Sequence, residues 1–165
     1  MPAAAPSSLP SFDQGRWVDA APFRAHLRYL CSSAGLPWQV VALHAGLTLR
    51  HADVLLHGRR GRPLRRLPRP AAQLLWQVDV AGLRALQRTT QPSDPTSTRL
   101  SAALARGLTP RHLCRVMGWS PARLTAVLGG EARRVSAVDA LRARALTEAL
   151  DRISEDPPVV VACAA

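Results

Sequence analysis

The stretch GLPWQVVALHAGLTLRHADVLLHG, residues 35 to 58, returns 72 residues later as GLTPRHLCRVMGWSPARLTAVLGG, residues 107 to 130. Gly35, Leu36, Gly46 and Gly58 recur as Gly107, Leu108, Gly118 and Gly130, while apolar Val41, Ala45 and Leu55 recur as Leu113, Met117 and Val127. An offset shared by glycines and core positions is hard to obtain by chance. It makes the chain a tandem of two similar helical units.

Each copy holds what two helices joined by a tight turn require. The first helix needs a small residue where the second crosses it, then a stop that tolerates positive φ, then a restart within a few residues. In the first copy small Ala42 supplies the crossing and Gly46 the stop. Thr48 is placed to cap the next helix, whose buried face is Ala52, Leu55 and Leu56, and Gly58 ends it. In the second copy Pro110, Leu113, Cys114, Met117, Gly118 and Trp119 take the corresponding places. Ser120-Pro121 supplies a cap followed by proline in the first turn, and Leu124, Val127 and Leu128 face the core.

This pattern resembles the helix-turn-helix of phage repressors and of the small actinobacterial and actinophage regulators built on it. The resemblance covers residues 22 to 152 and runs through Pro95-Thr96, Arg99-Leu100, Gly118-Trp119, Val135-Ser136 and Arg142-Ala143-Arg144-Ala145-Leu146. Cys114 stands where such turns carry alanine, and Trp119 is large for the residue after the turn. The resemblance implies a DNA-binding regulator.

Charge points the same way independently. All 22 basic residues are arginine. This bias suits a high-GC genome and supplies the side chain best shaped for bidentate contacts to phosphate and guanine. Residues 21 to 88 carry eleven arginines against Asp53 and Asp79, a net +9, residues 99 to 152 a net +6, and the remainder −4, within a total of +11. Positive charge confined to the helical units attracts polyanions, nucleic acid foremost. No amphipathic stretch pairs a basic face with exposed bulky aromatics, which disfavours a membrane surface.

The 165 residues suit two small units. No alternating strand pattern appears, so the expected fold is all-α, tandem helix-turn-helix units each forming a small helical bundle. A loose tail is expected over 1–20, the first unit over 21–89, a linker over 90–97, the second unit over 98–154 and a second disordered tail over 155–165. Helices are expected near 22–33, 37–45, 49–57, 69–77, 80–88 (capped by Asp79), 98–106, 110–117, 121–128 and 136–153. The linker, Thr-Gln-Pro-Ser-Asp-Pro-Thr-Ser, holds two prolines and no bulky apolar residue.

Other chemistries find little support. Cys31, Cys114 and Cys163 are odd in number and widely spaced, and the first two fall at apolar positions, as free thiols in a reducing cytoplasm do. Met1 to Pro10 does not read as a signal peptide, and Val159 to Ala165 is too short to span a membrane. His44, His51 and His57 are seven and six residues apart, where ligands on one helix face need three or four, so no metal is expected. Tyr29 lies on a core-like helix, and neither a phosphate loop nor a pair of acids beside a basic site is present, so neither an enzyme nor a cofactor is expected. Trp38, Trp76 and Trp119 are read as core.

In a helix-turn-helix the second helix offers its N-terminal outward residues to base edges in the major groove. In the first copy these are Thr48, Leu49, Arg50, His51, Asp53 and Val54, with Arg50 the candidate for guanine. In the second they are Ser120, Arg123 and Thr125, a surface poorer in donors. Arg59, Arg60, Arg62, Arg65, Arg66 and Arg69, with Arg133 and Arg134, are the candidates for backbone or minor-groove contact. Arg60-Gly61-Arg62-Pro63 matches the core of an AT-hook, in which an extended Arg-Gly-Arg lies along a narrow A·T groove.

The leading expectation is a nucleoid-located, cytoplasmic, sequence-specific transcriptional regulator of double-stranded DNA, a monomer or homodimer, with an asymmetric site of about 20 base pairs. An adaptor docking on RNA polymerase or another regulator is the alternative from another class. A nucleoid-associated protein with little sequence preference is a third.

Overall fold

The computed structural model describes residues 16–155, in which nine helices alternate with four three-residue strands. The chain begins with β1 (Trp17–Asp19) and α1 (Ala21–Ala34). Pro22 occupies the first turn of α1, where its missing N–H costs nothing, and Asp19 accepts a hydrogen bond from the Ala21 N–H at 3.1 Å. The helix stops at Gly35, which adopts the left-handed conformation at φ 64°. Next come α2 (Trp38–His44) and α3 (Leu49–His57), joined by a turn in which Gly46 takes φ 79°. The Thr48 hydroxyl accepts the His51 N–H and caps α3. After Gly58 and an arginine-rich connection, β2 (Arg66–Pro68) leads into α4 (Arg69–Trp76) and α5 (Val80–Arg88), the latter capped by Asp79 through the Gly82 N–H at 2.6 Å.

The second half repeats this order. β3 (Thr90–Pro92) is followed by α6 (Asp94–Ala105), α7 (Pro110–Met117), α8 (Pro121–Leu128), β4 (Arg134–Ser136) and the long α9 (Ala137–Glu155). Gly118 ends α7 in the left-handed conformation at φ 68°, and Ser120 caps α8 by accepting the Arg123 N–H. In each half the strand before the first helix pairs antiparallel with the strand after the third. Val18 faces Leu67 in one pair, and Gln91 faces Val135 in the other. Both clasps put one branched apolar residue, Leu67 or Val135, into the core at 1% exposure.

Each half builds its own core. Leu27, Leu30, Val40, Val41, Leu55, Leu75 and Leu83 fill the first, and Leu100, Leu113, Met117, Trp119 and Val127 fill the second. Burying one such leucine contributes about 2 kcal/mol, so either cluster supports a small helical body. The joint between them is α9. Its Ala140 and Ala143 face the second core, Val138 reaches the first, and Ala145 meets Leu43 and Leu49 in a smaller cluster flanked by Trp38 and Leu141.

Several expectations are corrected. The fold is mostly helical, but the strands escaped notice because three residues are too few to show alternation. The first of them, Trp17–Asp19, and buried Ala20 lie in the expected N-terminal tail, since β1 pairs with β2. The expected linker 90–97 is part of the second half: Thr90–Pro92 pairs with β4, and Asp94-Pro95 opens α6 four residues before the expected start. Ser93 and Thr96 are 1% and 0% exposed. Pro95 there is a first-turn proline rather than a breaker. Trp119 is buried as expected, but Trp76 is 67% and Tyr29 58% exposed. Cys31 and Cys114 are half-buried free thiols, and burial pushes the Cys31 thiol up. Cys163, residues 1–15 and the C-terminal stretch from residue 156 lie outside the described residues. No described helix is long and apolar enough to cross a membrane.

Candidate nucleic-acid interface

The helix α3 has three faces. Ala52 and Leu55 point into the first core at 0% exposure, as the spacing predicts. A second face carries Leu49, 2% exposed, which sits against Ala145 of α9, and Asp53, whose carboxylate meets His57 Nδ1 at 2.9 Å and Arg152 of α9 at 3.5 Å. The third face is open, with Arg50 and His51 exposed and Val54 half-buried. Thr48 is exposed but spends its hydroxyl on the helix start, accepting the His51 N–H at 3.3 Å and lying 3.0 Å from His51 Nδ1.

Leu49 is therefore unavailable to a base edge, contrary to expectation. The helix that covers it lies far along the chain, and no local pattern announces it. Asp53 is likewise engaged. Of the six residues expected to read bases in the first copy, Thr48, Arg50, His51 and Val54 remain on an accessible surface, Thr48 with its hydroxyl already engaged by the helix start.

The second copy is more heavily committed. Arg123 is the one cation of α8, and its guanidinium meets Asp139 at 3.0 Å and lies 5.0 Å over the Trp119 ring. Asp139, 6% exposed, also faces Arg142 at 3.8 Å, and Arg142 in turn donates to the Met117 carbonyl at 3.0 Å. Ser120 caps the helix, and the Thr125 hydroxyl donates to the Pro121 carbonyl at 3.1 Å. Ser120 and Thr125 remain exposed, but neither offers a free charge.

From the end of α3 to the first residue of α4 runs the densest positive charge. Arg59, Arg60, Arg62, Arg65, Arg66 and Arg69 are all exposed, and among the described residues none of their side chains meets a carboxylate or a hydrogen-bond acceptor. The chain is not extended here. The Arg59 N–H donates to the Arg62 carbonyl at 2.9 Å, and the Arg62 N–H donates back at 3.0 Å, closing a two-residue hairpin. Arg60 and Gly61, at φ 49° and 74°, form its tip. This overturns the extended Arg-Gly-Arg of an AT-hook. Both central residues turn left-handed to close the reciprocal bonds, a conformation that an extended strand does not contain.

Arg24, which sequence reasoning passed over, secures this connection. From the half-buried flank of α1 it donates to the Leu55 carbonyl at 2.7 Å and the Leu64 carbonyl at 2.6 Å, tying α3 to the chain after the hairpin. An arginine between apolar helix positions was its only sign in the sequence. In the second half Arg133 is exposed, whereas Arg134 donates to the Thr90 hydroxyl and carbonyl at 2.9 and 2.8 Å and braces β3. Away from these groups, Trp76 stands over Phe23 and His26, with ring centroids 6.1 and 5.2 Å away. Among the described residues no three His, Cys, Asp or Glu side chains converge.

Compared with known proteins, the chain matches no family model, no curated protein and no solved structure.

Proposed function

We propose that the protein is a sequence-specific transcriptional regulator of double-stranded DNA, formed by two tandem helix-turn-helix units of which the first reads bases. One observation carries this reading. Seven arginines, Arg50 on α3 and the six between residues 59 and 69, are exposed, and none has an acidic partner among the described residues. Proteins normally intersperse surface charges of both signs, and a one-sided cluster raises the local potential by several kT. Phosphates are the natural counterions, and Arg50, in the first turn of α3, is placed for the two acceptors of a guanine.

The second unit supports and positions the first. Its α8 shows short neutral side chains outward, since Arg123 serves Asp139. That surface suits backbone contact better than base reading. Selection of bound duplexes from a random pool by the full chain tests the proposal. A preferred site is expected, and Arg50→Ala removes preference at one of its base pairs. Failure to bind any duplex at low salt overturns it.

The adaptor reading draws on Trp76. An indole 67% exposed on top of Phe23 and His26 is a surface that partner proteins use. On that reading Trp76→Ala abolishes capture of purified RNA polymerase and leaves DNA binding unchanged.

A further inference from the structure

The hairpin after α3 carries features that a mere connection does not need. Arg60, at φ 49°, is the one non-glycine residue with a left-handed backbone among the described residues. Asparagine or glycine usually takes that place in a two-residue hairpin, because a long L side chain there is strained. Arg59 and Arg62 face each other across the ribbon, and like charges directly opposite repel. Gly58 closes the base at φ 80°, so tightly that an added Cβ would lie 2.1 Å from the Arg62 carbonyl oxygen. Arg24 holds the Leu64 carbonyl just beyond. Strain at the tip and repulsion at the flanks are thus held in place, and among the described residues no acid pairs with these arginines. A polyanion would relieve the repulsion.

Dimensions decide which part of the polyanion fits. Paired strands lie about 4.8 Å apart before side chains are counted, and the minor groove of B-DNA is only about 6 Å wide. The ribbon as a whole cannot lie on the groove floor. A single guanidinium can enter, and the tip presents one, because Gly61 beside Arg60 has no side chain. Narrow A·T-rich grooves concentrate negative potential and favour arginine in just this role.

We infer that the hairpin reads DNA shape: Arg60 enters the minor groove beside the segment that α3 reads, adding a preference for A·T-rich flanks at positions α3 never touches. Arg59 and Arg62, set back from the tip, meet the phosphates on either side. This inference rests on the DNA reading above.

The test uses the full chain and the duplex that it selects from a random pool. The flanking A·T pairs are changed to G·C, which puts an amino group in the minor groove, or to inosine·C, which does not. The parent is expected to bind the G·C-flanked duplex about tenfold more weakly and the inosine-flanked duplex almost as well as the original. Arg60→Ala and Arg60→Gly bind all three alike while keeping the base preference that depends on Arg50. Because glycine suits the left-handed backbone, Arg60→Gly keeps the turn and removes only the side chain. Equal binding of the parent to all three flanks overturns the inference, as does an undiminished flank preference in Arg60→Gly. In either case an intact Arg50-dependent preference leaves the DNA reading standing. A parent that binds no duplex overturns both.

Discussion

His51 and Arg123 occupy the same place in the two copies, the third residue of the second helix, and they have opposite fates. His51 remains on the open face of α3, whereas Arg123 is drawn back by a carboxylate that is 6% exposed. Asp139 holds two guanidiniums at once, so Asp139→Ala leaves Arg123 and Arg142 without their counterion. Both arginines retain some solvent access, which limits the loss to about 1–2 kcal/mol, read as a lower urea midpoint. On the DNA side, Arg50→Ala should remove preference at one base pair, while Arg65→Ala weakens binding to all sequences alike. Base-resolved binding profiles of the two variants check this, and identical profiles for Arg50→Ala and the parent would exclude base contact by Arg50. Gly58→Ala should damage the hairpin, because its Cβ collides with backbone and its φ is left-handed. A cost of about 2 kcal/mol or more is expected, with faster hydrogen exchange at the Arg59 and Arg62 amides.

At the scale of elements, α9 does what no single copy of the repeat can do alone. It completes the second core with Ala143, then lays Ala145 on Leu49 and Arg152 beside Asp53. Ala145→Arg should overpack that contact and loosen α9 from α2 and α3, at a cost of about 1–3 kcal/mol. Enhanced exchange of the α3 amides would show it, and unchanged exchange would mean that the contact does not order α3. The strand pair β3–β4 makes a second demand. Around the Arg88–Thr89 bond, the Thr89 N–H donates to the Ala85 carbonyl and its own carbonyl accepts from the Ala137 N–H, at 3.0 and 2.9 Å. Brief trypsin treatment should therefore spare that bond. Early cleavage there, releasing two halves, would restore the flexible linker that proline content alone suggests.

For the whole molecule, positive charge is gathered on the first half and partly neutralised on the second. Five of the six described ion pairs lie in the second half or reach from it, each using an arginine of residues 106 to 152. DNA binding through about six phosphate contacts gives a log–log salt slope near −5, measurable by titration across a range of salt concentrations. A slope near zero would leave the adaptor. If α3 alone reads bases, as proposed, a single chain should protect an asymmetric site, checked by footprinting together with sedimentation. A palindromic site bound by two chains would assign the second half to dimerisation.

Local physics settled much of this. Glycines at left-handed stops, Thr48, Asp79 and Ser120 at helix starts, and apolar spacing within each helix act over a few residues, so the helices and their repeat could be read directly from the chain. The exposed arginines were equally legible, because charge resists burial. What only the tertiary structure decided depends on contacts between distant segments: the strand clasps, the cover that Ala145 places over Leu49, and the capture of Arg123 by Asp139. Each turns on which segments meet after the chain has folded, and spacing along the chain carries no record of that.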